Sequence, residues 1–339
     1  MLTSTTDADA ALGLLLQHLA RVGYRFTTPT PLTHQRVLAH RGAQTATTLR
    51  DVFGWNMPLT PTCDAIPREL LAAMRGAGVL RQQGDVLKSL VRVSSIATDS
   101  GADLFVHSAY PTAQDDAVFF GPDTYRFARF IQQGAAHVRS TGSQPIRVLD
   151  VGCGSGAGGV VAARALSHLG PLDVWMNDIN PLALRYTAIN VTNANLAGIA
   201  VKPALGNALS AVKGDFDLIV SNPPYLEDVA KRAYRHGGGG LGRALSVRIA
   251  QEALAHLAPG GRLLLYTGVA MVGGVDAFLA DMQPLLESGL QGARFDWSYS
   301  EIDPDVFGEE LDQPAYAHVD RIAAVGLTAT RVAHKAGEH

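Results

Sequence analysis

Asn222-Pro223-Pro224-Tyr225 follows directly on the apolar run Phe216-Asp217-Leu218-Ile219-Val220 and Ser221. The run reads as a buried strand, so these four residues lie at a strand's carboxyl end, where open α/β sheets bind their ligands. Asn222 offers a side-chain carbonyl acceptor. The prolines stiffen the backbone and leave their carbonyls without local N–H competitors, and Tyr225 adds a flat face that could stack on a planar group. The set suits gripping a planar NH2 group. Such a nitrogen is a poor nucleophile because its lone pair is delocalised. Two acceptors holding its two hydrogens, the Asn222 side chain and the Pro223 carbonyl, would orient it and favour the positive charge that develops during attack on an electrophilic carbon. No strong general base is then required. Asn-Pro-Pro is also an ordinary turn sequence with Tyr225 packed at its edge, so the surrounding chain must decide.

Upstream, Val148-Leu149-Asp150-Val151-Gly152-Cys153-Gly154-Ser155-Gly156 reads as a second strand running into a glycine loop. Such a loop lets backbone approach a ligand closely and aims helix N-terminal N–H groups at it. The next strand, Leu172-Asp173-Val174-Trp175-Met176-Asn177, ends at Asp178, whose carboxylate can accept hydrogen bonds from both hydroxyls of a ribose. Asn180 before Pro181 also fits a plain helix cap. Gly154-x-Gly156-x-x-Gly159 satisfies the dinucleotide-binding pattern as well, which keeps a nicotinamide-dependent oxidoreductase open as an alternative.

Together these motifs resemble class I S-adenosylmethionine-dependent methyltransferases, over roughly residues 118–330. Among them they are similar to release-factor glutamine N5-methyltransferases and related RNA base-amino methyltransferases. The resemblance implies S-adenosyl-L-methionine as cofactor, held by Asp150, Gly152, Cys153, Gly154 and Gly156 at its methionine end and by Asp178 and Ile179 at its ribose. Asn207, following Gly206, falls where the family contacts adenine; relatives often carry Asp there. Val118-Phe119-Phe120-Gly121-Pro122-Asp123-Thr124 is similar to the Pro-Asp-Thr segment before the helix that closes over the cofactor, so Phe120, Pro122 and Thr124 are expected to line that pocket. Asn222, Pro223 and Tyr225 carry the acceptor side. The acceptor is then a protein glutamine or an RNA base, with a small molecule as a further class. The N-terminal region does not match the compact helical recognition domain of the glutamine enzymes.

With 339 residues, two domains are the natural expectation. Strand-helix alternation from residue 146 to about 332 implies a parallel, doubly wound, Rossmann-like α/β sheet, closed by a hairpin of Arg294–Tyr299 and Val319–Thr328. Residues 113–145 read as a linker and cofactor-closing helix. Residues 1–112 read as a smaller α+β recognition domain: helices at Asp9–Arg21, Pro31–Arg41 and Ile66–Arg75, then a hairpin of Val86–Ile96 and Asp103–His107, a winged-helix-like order.

A net charge of -3 argues against a surface wholly committed to nucleic acid, so the location of charge matters. Residues 229–251 hold Lys231, Arg232, Arg235, Arg243 and Arg248 and no acid, around Gly237-Gly238-Gly239-Gly240. A mobile cationic loop that docks substrate through Lys231, Arg232 and Arg235 is expected, against a solvated loop; His236 is expected to face solvent. Two cysteines cannot build a disulfide framework or a multi-thiolate zinc site, and the histidines lack metal-ligand spacing, so no metal is expected. The N-terminus lacks the basic start of a signal peptide and no apolar run is long enough to span a bilayer. A cytoplasmic protein is expected.

Overall fold

The structure, a computed structural model, describes residues 7–42, 44–112, 114–139, 145–196, 199–228, 232 and 234–333. The N-terminal part contains α1 (Asp7–Arg21), α2 (Pro31–Arg41), α3 (Leu49–Phe53) and α4 (Arg68–Gly76), followed by two hairpins. In α1, Leu12, Leu15, Leu16 and Leu19 are buried as their helical spacing predicts. The β-rich run expected as one strand is two. β2 (Val86–Ser89) turns back through Gly84 onto β1 (Leu80–Gln83), whereas β3 (Val91–Thr98) pairs with β4 (Gly101–Ser108). The break lies at Ser89, whose hydroxyl donates to the Val91 carbonyl at 2.7 Å and accepts from the Val91 N–H at 3.2 Å. A side chain that bonds its own backbone two residues on competes with the ladder and ends the strand.

The remainder alternates strand and helix, as expected. Strands β5 (Ile146–Val151), β6 (Leu172–Asp178), β7 (Ile199–Leu205), β8 (Phe216–Ser221), β9 (Leu257–Met271), β10 (Phe295–Asp303) and β11 (Arg321–Arg331) form one seven-stranded sheet in the order β10-β11-β9-β8-β5-β6-β7. β5 to β9 run parallel, and β11 lies antiparallel between β9 and β10. Parallel strands buried on both faces read as continuous apolar runs, and Leu218, Ile219 and Val220 of β8 are fully buried. On one face α5 (Pro122–Ala135) and α6 (Ala157–Leu166) complete a core with Val148, Leu264 and Tyr266; on the other, α8 (Ala244–Ala255) and α9 (Ala277–Ser288) pack on Leu149, Ile219 and Leu263.

β7 and α9 are additions to the sequence expectation. β7 is an edge strand with only Ala204 buried and a proline at 203, composition that masks a strand but suits an edge. Strand order reverses between neighbours β5 and β8, so the crevice beyond their carboxyl ends is the sheet's ligand position.

Asn190 of α7 (Pro181–Ala194) joins the two halves. Fully buried, it accepts from the Val106 N–H of β4 at 2.8 Å and donates to the carbonyls of Val106 at 3.1 Å and Ser155 at 2.8 Å. One side chain therefore satisfies both the open edge of the N-terminal hairpin and the glycine loop. Asn190→Ala leaves these buried backbone groups unpaired and should lower unfolding free energy by on the order of 3 kcal/mol, read from urea denaturation.

Candidate active site

A cavity of about 210 Å³ occupies the crevice beyond β5 and β8. Its floor is the loop between β5 and α6, in which Gly152, Gly154 and Gly156 adopt φ of 71°, 55° and 79°, a backbone region open to glycine at little cost. A Cβ on Gly152 or Gly154 would meet no protein atom within 4 Å, so the chain at these lining positions is bare toward the cavity. Asp150, at the end of β5, is buried beneath the loop and accepts from the Gly159 N–H at 2.7 Å. Burial, with a smaller contribution from the charge of Asp178, pushes its carboxyl up to about 7 against the pull of that N–H.

Asp178 ends β6 on the adjacent wall. One carboxylate oxygen accepts from the Gly154 N–H and the other from the Asn180 N–H, both at 2.8 Å. A carboxylate has about four acceptor sites, so capacity remains for a diol after these two bonds. Asp178 also braces the glycine loop, a role its position in the sequence does not disclose. Burial raises its carboxyl despite the backbone donors.

The acceptor motif lies across the crevice. Asn222 is half-buried and lines the cavity, and among the described residues its amide has no hydrogen-bond partner. Pro223 and Tyr225 also line it. Tyr225 is buried, however, and its hydroxyl donates to Asp123 at 2.5 Å; Tyr266 of β9 donates to the other oxygen of the same carboxylate at 2.6 Å. Gly268 is required beneath the ring, because a Cβ there would stand 2.2 Å from a Tyr225 ring carbon. The expected stacking platform is thus a ring pinned at its hydroxyl end.

Not all the expected cofactor residues meet the cavity. Cys153, Thr124 and Ile179 line it with the residues above, Ile179 from an exposed position at the mouth. The Cys153 thiol sits 3.5 Å from the Thr187 hydroxyl, and burial pushes it up, away from reactivity. Asn207 is at the rim, its carbonyl already accepting from Arg248, which leaves its NH2 free to donate. Phe120 and Pro122 are absent from the lining: Phe120 turns inward against Phe105, His107 and Tyr125, and the neighbouring Phe119 faces the cavity instead. Gly156 shapes the loop as the α6 cap but is likewise not part of the wall. Phe127 and Phe307 line the cavity without having been expected. Phe127 belongs to the apolar face of α5; Phe307 carries no signal, since it arrives from a turn far along the chain.

The arginines expected to be free in the cationic loop have partners in the structure, while Arg235 and Tyr234 also line the cavity. Arg232 and Arg235 both pair with buried Asp228, Arg235 also with buried Glu310, and Arg243 pairs with Asp281 at 2.7 Å. The charge run omitted the acid immediately before it and one folded back from residue 310. Lys231 lies outside the described residues. Gly237 packs against the acceptor motif, where a Cβ would stand 2.7 Å from the Pro224 carbonyl oxygen, and its N–H bonds the Leu226 carbonyl at 2.9 Å. Close packing thus accounts for Gly237, while a Cβ on Gly239 would meet no protein atom within 4 Å. His236, half-buried, takes a 3.3 Å bond from the Asp228 N–H.

Residues 135–271 match the methyltransferase small domain family. The matched segment carries the glycine loop, Asp178 and the Asn222 motif. The description of this family agrees with the expected enzyme class and S-adenosylmethionine cofactor. The chain is similar to a release factor glutamine methyltransferase of Deinococcus radiodurans, with 39% identity over 35% of this chain and 44% of that protein. It is also similar to a ribosomal RNA small subunit methyltransferase C of Pasteurella multocida, with 33% identity over 48% of this chain and 45% of that protein. The chain spans less than half the length of these curated relatives. A solved methyltransferase structure from Pyrococcus furiosus shares 20% identity at a TM-score of 0.40, over 64% of this chain and 89% of that one. No helix among the described residues is long and apolar enough to cross a membrane.

The residues present fit the cofactor: a bare glycine floor, a carboxylate with free acceptor capacity at the end of β6, and a second beneath the loop. Because Asp150 loses a proton only near pH 7, its attraction for the cofactor's ammonium should be present above that pH and fade below it. Calorimetric affinity for S-adenosylmethionine should therefore fall as pH drops through about 7, and Asp150→Asn should flatten the profile. Asp178→Ala removes both the diol acceptor and the loop brace and should weaken cofactor binding by on the order of 2 to 3 kcal/mol.

Proposed function

We propose that the chain is an S-adenosylmethionine-dependent N-methyltransferase whose acceptor is a planar nitrogen, a glutamine amide of a protein or an exocyclic amine of an RNA base. The observation that carries this reading is the unpartnered Asn222 amide facing Asp150 and Asp178 across one cavity at the sheet's reversal point. The cofactor supplies an electrophilic methyl group. Asn222 and the Pro223 carbonyl hold the two hydrogens of the incoming NH2 group, so that the lone pair is directed along the reaction axis and the developing positive charge meets two fixed dipoles. Phe119, Phe127 and Phe307 narrow the cavity and exclude water around that charge. The two kinds of relative named above support both acceptor classes.

Incubating the protein with labelled S-adenosylmethionine and a cell extract, then digesting separately with protease and nuclease, assigns the acceptor. Label released by neither enzyme points to a small molecule. Asn222→Ala should bind the cofactor almost normally while kcat falls by roughly two to three orders of magnitude, the scale of one lost preorganised transition-state hydrogen bond. Asn222→Asp keeps an acceptor and should retain part of the activity. Full turnover in a folded Asn222→Ala protein would return the segment to a structural turn.

A further inference from the structure

Arg232, Arg235 and Arg243 of the loop after the acceptor motif are paired with carboxylates, and a second group of cations lies on another part of the sheet. Residues 124–149 contain Arg126, Arg129, His137, Arg139 and Arg147 and no acidic residue. Most of this run lies on or just beyond α5, and the structure sets it along a groove of about 510 Å³ between that helix and the β10-β11-β9 face of the sheet. Arg126, Arg129, Gln133 and His137 form the helical wall; Arg262 of β9 and the hydroxyls of Ser298, Ser300 and Thr328 form the opposite one.

Arg126 is consumed by Asp123 and Asp303, and Arg147 stands 3.8 Å from Asp173, but Arg129 and Arg262 have no carboxylate partner among the described residues. Arg129 is exposed and has neither a carboxylate nor a hydrogen-bond partner among the described residues. Among the described residues the Arg262 guanidinium makes one long bond, 3.4 Å to the Gly134 carbonyl, and burial, with a further contribution from nearby Arg139, pushes its pKa down; Arg139 itself bonds the carbonyls of Ala136 and Val138. The groove's one lining acid, Asp303, is taken by Arg126 at 2.8 Å. Of the nearby acids on β10, Glu301 pairs with Arg321 at 2.8 Å, whereas Asp296 is exposed on the same face as Ser298 and Ser300, in register with Thr330 beside Arg262. Arg129 and Arg262, left without carboxylate partners among the described residues beside neutral hydroxyl donors, offer two positions for the phosphates of a polyanion.

The groove also has a direction. α5 begins at Pro122, next to Asp123, which bonds Tyr225 of the acceptor motif, and from Arg126 to its end at Ala135 it advances roughly 14 Å at the helical rise. A strand whose reactive group enters the cavity thus finds cations leading away from it at one end of the same helix. We infer that this groove binds the phosphate backbone of an RNA substrate, delivering a base amine to Asn222. The inference rests on the methyltransferase reading above and selects RNA among its acceptors. Spaced arginines with serine and threonine hydroxyls suit a flexible sugar-phosphate chain, whose charges recur at each nucleotide.

The test uses the full chain and the Arg129→Ala/Arg262→Ala variant. Binding of a short, fluorescein-labelled, mixed-sequence single-stranded RNA is followed by anisotropy across a salt series. The variant should bind at least about 10-fold more weakly at low salt, and its slope of log K against log salt should be shallower by roughly 1.4, about 0.7 for each lost phosphate contact. Cofactor affinity should be unchanged, and Arg129→Lys/Arg262→Lys should restore most of the RNA affinity. Equal RNA affinity and equal slope in the alanine variant would overturn the proposal. So would a wild-type preference for polyglutamate over RNA with the same dependence on the two arginines. Failure of the wild-type protein to bind S-adenosylmethionine would instead strike the catalytic reading, because RNA anisotropy is measured without cofactor.

Discussion

A single buried carboxylate holds the catalytic half together. Asp123 stands in the first turn of α5, accepts from Tyr225 at 2.5 Å and Tyr266 at 2.6 Å, and pairs with Arg126 at 3.0 Å. These partners belong to the acceptor motif, the central sheet and the next turn of the same helix. Burial raises the Asp123 carboxyl while the phenols and the guanidinium pull it down, and the phenols are themselves pushed up beside it. A buried carboxylate is costly unless its lone pairs are filled. Here filling them fixes where Tyr225 lies, and with it the direction taken by the two prolines. The Gly268 gap under the ring belongs to the same constraint, since a methyl group there would displace the ring from the carboxylate.

From that anchor the chemistry divides between two walls. The glycine floor with Asp150 and Asp178 is braced from within by bonds to Gly159 and Gly154, so the loop's shape depends on the carboxylates expected to meet the cofactor. On the opposite wall the Asn222 side chain has no hydrogen-bond partner among the described residues. Asn222 is only half-buried, so its amide is open to a ligand entering the cavity. Asp123 is filled by neighbours of the fold, and Asn222 awaits a partner from outside it.

Much of this was legible in the order of residues. The apolar strands announced themselves as continuous runs, and the strand ends bearing Asp150, Asp178 and Asn222 converge on one crevice. Local pattern failed where the deciding contact was distant. Phe119 and Phe120 are equivalent in type and adjacent, and only packing against Phe105 and His107 chooses which turns inward. The charge of residues 229–251 was miscounted because Asp228 precedes the window and Glu310 returns to it from a distant turn. β7 was hidden because an edge strand need not be apolar, and Pro203 is tolerated there. The division of residues 86–96 turned on one hydroxyl, Ser89, whose local bonds outcompete strand continuity.

The N-terminal domain is also tied to the catalytic floor. Asn190 bonds β4 on one side and the Ser155 carbonyl on the other, while Arg164 of α6 clamps Asp103 of the same hairpin through two 2.5 Å contacts and bonds the Ala194 carbonyl at 2.7 Å. Both α6 and α7 begin at loops that meet the cavity, so the β3–β4 hairpin is bonded to the two helices that follow the glycine loop and the turn after Asp178. The first strand of that hairpin in turn carries Ser95, which bonds the Phe26 backbone at 3.0 Å, and Tyr24 reaches the Val93 carbonyl at 3.0 Å. The segment after α1 is thereby linked, through one two-stranded hairpin, to the floor of the cavity. An enzyme built this way need not form its cofactor site independently of its N-terminal domain, because the same buried amide completes both.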